Sequence, residues 1–399
     1  MIRHVITSAR NRCTAAAAII ETLFRLLILT TALIIYGSLY PWHFSTALRA
    51  APLTVLLRSL DAPTGVYLFR DLIVNIAIYV PFGAVAYLAF ERRTRSVLLY
   101  AAPVISGCIL SFGIEIAQLF TPTRNASLLD VISNTAGSGI GVIAASSLRM
   151  FLPPLPARAM HRDGTAVALL CCWAAYLFFP FFPALSRTVF AAKMNTFATS
   201  SLADPVQFIS AAAQWFLGGR LLVTAGAPSP GTLLGLALIA IPAQLLIYSR
   251  QPVLADLTGG IAGWSAFLLF RRSRLSVWAN AFMALSTVAV RELAPFRWQE
   301  TANSFVWVPF GGMLAADWQR SVPILIEKSL YYGLAVWTLR ETGIRLAVPA
   351  LAVFIVCLEF AQIHLPGRTP EITDAAIVVL VGFALSIGAA PKRHPADLS

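Results

Sequence analysis

The sequence predicts an all-α membrane protein: a polytopic helix bundle of about twelve spans, arranged as three parallel four-helix repeats. Three observations predict it. The first is composition: of 399 residues, 58% are hydrophobic and only 12% are charged. A soluble domain is about 25% charged, and half that charge cannot coat a globule of 43.1 kDa with a mean hydropathy of +0.75. Soluble enzyme, disordered chain, collagen and coiled coil are therefore excluded. The second is a succession of apolar runs near span length. The third is a polar pattern that recurs three times at one spacing.

The first span is Ile19–Leu39, behind a basic head with Arg3, Arg10 and Arg12. Its apolar run exceeds the roughly 7–15 residues of a signal peptide, and no small-x-small cleavage site follows, so it reads as a retained helix. The loop 45–69 sets Leu48, Leu53, Leu56 and Leu57 against Arg49 and Arg58 and reads as a surface-lying helix. Spans follow at about 72–90, 97–120 and 128–148, closing a first repeat at 1–150. The runs 165–185, 205–224, 231–248 and 253–270 make a second, degenerate repeat at 151–275. The runs 277–294, 303–317, 346–364 and 373–389 make a third at 276–399. The stretch 321–342 is only partly apolar and carries Glu327, Lys328, Arg340 and Glu341. It is expected to lie on the cytoplasmic surface as an interfacial helix.

The formal net charge is +12. Basic excess raises the question of nucleic acid, but membrane proteins gather Arg and Lys in cytoplasmic loops. No nucleic-acid partner is expected. With the N-terminus inside, Arg92, Arg93, Arg95, Arg149, Arg158, Arg162, Arg220, Arg271, Arg272 and Arg274 fall in the cytoplasm. So does the tail with Lys392 and Arg393, provided 321–342 does not cross. The expected location is a bacterial inner membrane, with both termini cytoplasmic. Cys13, Cys108, Cys171, Cys172 and Cys357 lie in or beside apolar runs and read as small hydrophobes.

The repeated pattern is Gln-x5-Arg-x5-Asp: Gln118, Arg124, Asp130, then Gln244, Arg250, Asp256, then Gln362, Arg368, Asp374. Upstream, Asn-x5-Pro-Phe-Gly runs from Asn75 to Gly83 and from Asn303 to Gly311, with a worn version from Ser210 to Gly218. An aromatic motif precedes each: Pro41-Trp42-His43-Phe44, Pro180-Phe181-Phe182-Pro183 and Pro295-Phe296-Arg297-Trp298. Its rings suit interface anchors, and His43, which is not repeated, reads as a lone polar group. Four spans per copy give all copies one orientation, so every Gln-Arg-Asp loop faces outward.

In the first copy, Glu115 and Gln118 share a helix face, and Thr121-Pro122 ends that helix. Arg124 sits in the turn, Asn125 can cap the next helix, and Asp130 and Asn134 lie on one face of it. Asn75 completes the set. The third copy supplies Asn303, Glu359, Gln362, Arg368 and Asp374. These residues hold the turns together in one reading and bind a ligand at the outer rim in another. Gln, Arg and Asp persist in a second copy that has lost the Glu (Ile241) and the Asn (Ser210), which suits scaffold. No zinc-protease, nucleophile-elbow or P-loop motif occurs, and the five His are scattered. No metal and no cofactor are expected.

These residues resemble the VanZ-like membrane family. The resemblance rests on Asn75-Ile-Ala-Ile-Tyr-Val-Pro-Phe-Gly83, on Glu115-Ile-Ala-Gln-Leu-Phe-Thr-Pro-Thr-Arg124, and on Asp130-Val-Ile-Ser-Asn134 with Gly137. It covers about 40–148 and returns near 293–387, where Val378 and Val381 replace Asn134 and Gly137. It implies a cell-envelope role and an association with resistance to the lipoglycopeptide teicoplanin, not a reaction. The leading expectation is outward polar clusters that bind the head group of a membrane lipid or lipid-linked glycan. The alternatives are an intramembrane enzyme with Glu115 or Glu359 as general base, and a structural or partner-binding membrane protein.

Overall fold

The structure is a computed structural model. It describes residues 2–45, 66–91, 97–151, 164–180, 182–184, 186–202, 204–247, 250–271, 277–316 and 318–388, with single residues Thr54, Leu56 and Ser59. The expected surface helix at 45–69 lies largely outside them, as do the basic loops 92–95, 158–162 and 272–274 and the tail with Lys392 and Arg393. Among the described residues every regular element is helical, with isolated bridges at Pro183–Ile247 and Val306–Glu371. The chain forms two compact units, Met1–Pro156 and Ala157–Ser399.

Unit 1 contains α1 (Ile2–Leu39), α2 (Val66–Glu91), α3 (Leu98–Gln118) and α4 (Leu128–Phe151). All four are long and apolar enough to cross a membrane. Their outer faces carry Ile105, Ile109, Phe112, Ile140 and Ile143, whereas Ser111, Glu115, Gln118 and Asn134 are buried. Apolar groups outside and ionisable groups inside are the arrangement a lipid solvent selects. Helices α2 and α4 touch backbone to backbone. A Cβ on Gly83 would stand 2.0 Å from the Ser138 carbonyl oxygen, and one on Gly137 would stand 2.3 Å from that of Ile76. Small residues at a crossing permit this approach.

Unit 2 contains α5 (Gly164–Phe178), α6 (Arg187–Thr199), α7 (Pro205–Thr224), α8 (Pro230–Ala237), α9 (Ala240–Ala243), α10 (Leu254–Phe270), α11 (Val277–Leu293), α12 (Gly311–Ala315), α13 (Trp318–Glu341), α14 (Ala347–Gln362) and α15 (Thr373–Gly388). The expected span 231–248 is an irregular helical stretch: α8 and α9 flank Leu238 and Ile239, which keep helical dihedrals, and Gln244–Leu246 tightens to a 3-10 turn after Pro242. Apolar helices α5, α10, α14 and α15 run 15–17 residues, about 24 Å at 1.5 Å per residue against a hydrocarbon core of about 30 Å. By length and composition, the described residues therefore supply four candidate spans, all in unit 1, beside five shorter apolar helices in unit 2.

Two expectations for the third repeat are corrected. The span expected at 303–317 is irregular up to Phe310 and helical only over Gly311–Ala315. The segment 321–342 is not a surface helix. It forms most of α13, whose residues Leu330, Tyr332, Ala335 and Val336 are each at most 1% exposed. Around α13 pack α5, α11, α14 and α15. The charges that argued for water have internal partners: Glu327 pairs with Arg291, Lys328 pairs with Asp374, and Arg340 donates to the Gly382 carbonyl at 2.8 Å. A paired charge no longer requires a wet face.

Candidate functional site

The polar residues of unit 1 gather where α1 ends and the α3–α4 turn begins. A helix leaves its last carbonyls without intrahelical donors, and at this rim the turn supplies them. The Gln118 side chain donates to the Ser38 carbonyl at 2.9 Å. Arg124 donates through Nε to Tyr40 at 2.9 Å and through a terminal nitrogen to Gly37 at 3.4 Å. Glu115, only 2% exposed, accepts the Ser127 N–H at 2.7 Å at the start of α4. Arg124 and Asp130 lie beside it, and Asp130 has Asn75 and Asp71 as neighbours. Asn134 donates to Ser111 Oγ at 2.9 Å, and its buried amide oxygen has no partner among the described residues. The expected set is thus close together, but Gln118, Arg124 and Glu115 direct their bonds to backbone.

Unit 2 repeats this capping and adds a side-chain network. Arg368 donates to the Ala294 carbonyl at 2.8 Å and to that of Arg291. Arg250 donates to the Tyr176 carbonyl and lies 4.9 Å over the Tyr176 ring. The Glu359 carboxylate accepts the Glu371 N–H at 2.8 Å, the same twelve-residue reach as Glu115 to Ser127. Gln362 donates to Glu359 at 3.2 Å and to Glu292 at 3.1 Å. Asp374, fully buried, receives Lys328, and the Tyr332 hydroxyl lies 2.6 Å from one of its oxygens. The same hydroxyl lies 2.9 Å from Glu292.

Asn303 does not play the part of Asn75. It sits in the irregular segment before α12, where its amide donates to the Leu365 carbonyl at 2.8 Å and its oxygen accepts from Gln299 at 2.9 Å. The position facing the third Asp is filled instead by Lys328 of α13. Sequence reading missed Glu292, Lys328 and Tyr332 as members of this site. The adjacent charges Arg291-Glu292 at the end of an apolar run were the signal for one of them.

The carboxylates of Glu292, Glu359 and Asp374 lie within 4.8 Å of one another. Such a trio invites the question of a cation. Here all six oxygens already have a protein donor: Tyr332 and Gln362 on Glu292, Gln362 and the Glu371 N–H on Glu359, and Lys328 on both oxygens of Asp374. With a lysine ammonium in their midst, the trio forms an internal network and not a cation cage.

Two cavities adjoin these groups within unit 2. The larger, about 590 Å³, is walled by Arg291, Glu292, Arg320, Glu327, Lys328 and Arg368. The smaller, about 170 Å³, is walled by Gln207, Gln214, Gln244, Arg250, Gln251 and Asp256. Gln207 lines both. The first can meet charged groups, and the second offers neutral donors and acceptors.

No curated protein and no solved structure matches the chain. A family model does: residues 23–149, within the first unit, match VanZ/LLP1, so that stretch is VanZ-like.

Proposed function

We propose that this chain is an envelope membrane protein that holds the head group of a lipid or lipid-linked glycan in unit 2. The larger cavity carries the reading. Its volume of about 590 Å³ falls within the range of small-molecule sites, roughly 300–1,000 Å³. Arg291, Lys328 and Arg368 line it, each already fixed by an internal partner. Arg320 is exposed at the wall and has no ion partner among the described residues. The cavity's four cations exceed its three carboxylates, Glu292, Glu327 and Glu371, by one, and that excess with one free arginine suits phosphate oxygens. The test is native mass spectrometry of the purified protein with an anionic phospholipid. Arg320→Gln is expected to lower its retention several-fold at an unchanged melting temperature. Unchanged retention by folded variant protein would overturn the reading.

For unit 1 a structural role is the better reading, because Gln118, Arg124 and Glu115 bond to backbone. The same bonds weaken a general-base role for Glu115 and Glu359. We place the protein in a bacterial inner membrane with cytoplasmic termini. Exchanging 303–317 for α13 keeps four helices in the last group. Descent from three repeats is supported by three backbone bonds at matching places, Ser45 to Phe120, Ala184 to Leu246 and Gln299 to His364. A protein that held an outer-leaflet head group would alter what a lipoglycopeptide meets at the cell surface, consistent with the resistance that the family resemblance implies.

A further inference from the structure

We infer that the smaller cavity of unit 2 is a subsite for a neutral sugar ring, the hexose of a lipid-linked glycan whose phosphate lies in the larger cavity. The inference rests on the head-group reading above and adds a second, distinct compartment to it. Its starting point is Gln244. The corresponding Gln118 donates to the Ser38 carbonyl, and Gln362 donates to Glu292 and Glu359. Gln244 is 8% exposed, lines the cavity, and its side chain has no partner among the described residues. A buried amide is normally hydrogen-bonded, so one aimed into a cavity marks a place where a polar occupant belongs.

The rest of the lining specifies the occupant. Arg250 and Asp256 are of opposite charge, so the wall does not select an ion. Asp256 gives one oxygen to the Val253 N–H and Arg250 one nitrogen to the Tyr176 carbonyl, which leaves further acceptors and donors facing inward. Gln207 and Gln244 each offer an amide oxygen and an NH₂ group. Donors and acceptors together on a wall with no net charge match the hydroxyls of a polyol, each of which both gives and takes a hydrogen bond. The volume, about 170 Å³, is below the roughly 300 Å³ of drug-sized sites and suits one ring. Gln207 lines both cavities, so a phosphate and the sugar attached to it can occupy them together.

The test compares a polyprenyl phosphate with the same lipid carrying one glucose, by native mass spectrometry on the full chain. The wild type is expected to retain the glucosyl lipid better, on the order of tenfold for two or three added hydrogen bonds. Gln244→Leu, close in volume to the native side chain, should remove that preference and leave retention of the bare phosphate lipid unchanged. Gln251→Ala, at an exposed site that lines the smaller cavity and not the larger, is the second variant and should do the same. Equal retention of the two lipids by the wild type would overturn the subsite and leave the phosphate reading standing. Retention of neither would overturn both. A glucose preference that survives in both variants would place the sugar elsewhere and overturn the assignment.

Discussion

Unit 1 and the C-terminal part of unit 2 carry the same polar spacing and use it differently. In both, an arginine of the turn caps the carbonyls where an earlier helix ends, and a glutamate receives the N–H of a residue twelve positions on. Beyond the caps they diverge. In unit 1 the helix facing Asp130 brings Asn75, and a seam of glycines closes α2 on α4. In unit 2 the helix facing Asp374 brings Lys328 and Tyr332, and Glu292 stands where unit 1 has Ser38. The recurring Gln-Arg-Asp spacing therefore encodes helix termination. Chemistry is decided by the residues that the motif leaves unspecified.

The sharpest break between the two sites is the buried ion pair. Asp374 is fully buried, and Lys328 bonds both its oxygens. Removing one partner of a buried pair typically costs about 3–5 kcal/mol, because a charge remains without compensation. Lys328→Met should therefore cause the largest loss of thermal stability, measured by intrinsic fluorescence in detergent. The double variant with Asp374→Asn should recover part of it. Asp130→Asn in unit 1 should change the melting temperature little, since no cation bonds Asp130 among the described residues. Equal losses in the two units would erase the distinction.

Next in size is the helix seam. A Cβ at Gly83 would meet backbone, 2.0 Å from the Ser138 carbonyl oxygen, which a neighbour cannot relieve by changing rotamer. Gly83→Ala should force α2 from α4 at a cost of about 1–3 kcal/mol. At Gly333 of α13 the nearest atom is Leu169 Cδ2, at 2.6 Å, the far end of a side chain that can turn aside. Gly333→Ala should therefore be nearly neutral, and alanine's helix propensity could offset any crowding. Thermal melts of the two variants side by side decide whether glycine contact or ion pairing closes each bundle.

Much of this was legible in the sequence. The apolar runs gave unit 1 its four helices, and the Gln-Arg-Asp spacing located the turns that cap them. The reading failed at 303–342, for a definite reason. Asn303 to Gly311 copies the spacing of Asn75 to Gly83 but takes an irregular path, and charges at 327–328 looked too costly to bury. Their partners, Arg291 and Asp374, lie 36 and 46 residues away in sequence, and pairing over that distance leaves no periodic trace. The spacing treats Gln244 like its two counterparts, because spacing cannot say which glutamine finds a carbonyl.

The smallest effect tests the caps themselves. Lysine keeps the charge of arginine but not its planar fork of five donors. Arg124 and Arg368 each reach two carbonyls, whereas Arg250 reaches one and rests on the Tyr176 ring. Arg124→Lys and Arg368→Lys should each lose one hydrogen bond, about 1 kcal/mol. Arg250→Lys should lose less, since an ammonium can keep both the single carbonyl and the ring. The order of the three melting temperatures is the measurement. If Arg250→Lys proved the most damaging, the second-copy arginine would be doing something other than capping, and the sugar subsite beside it would be the first place to look.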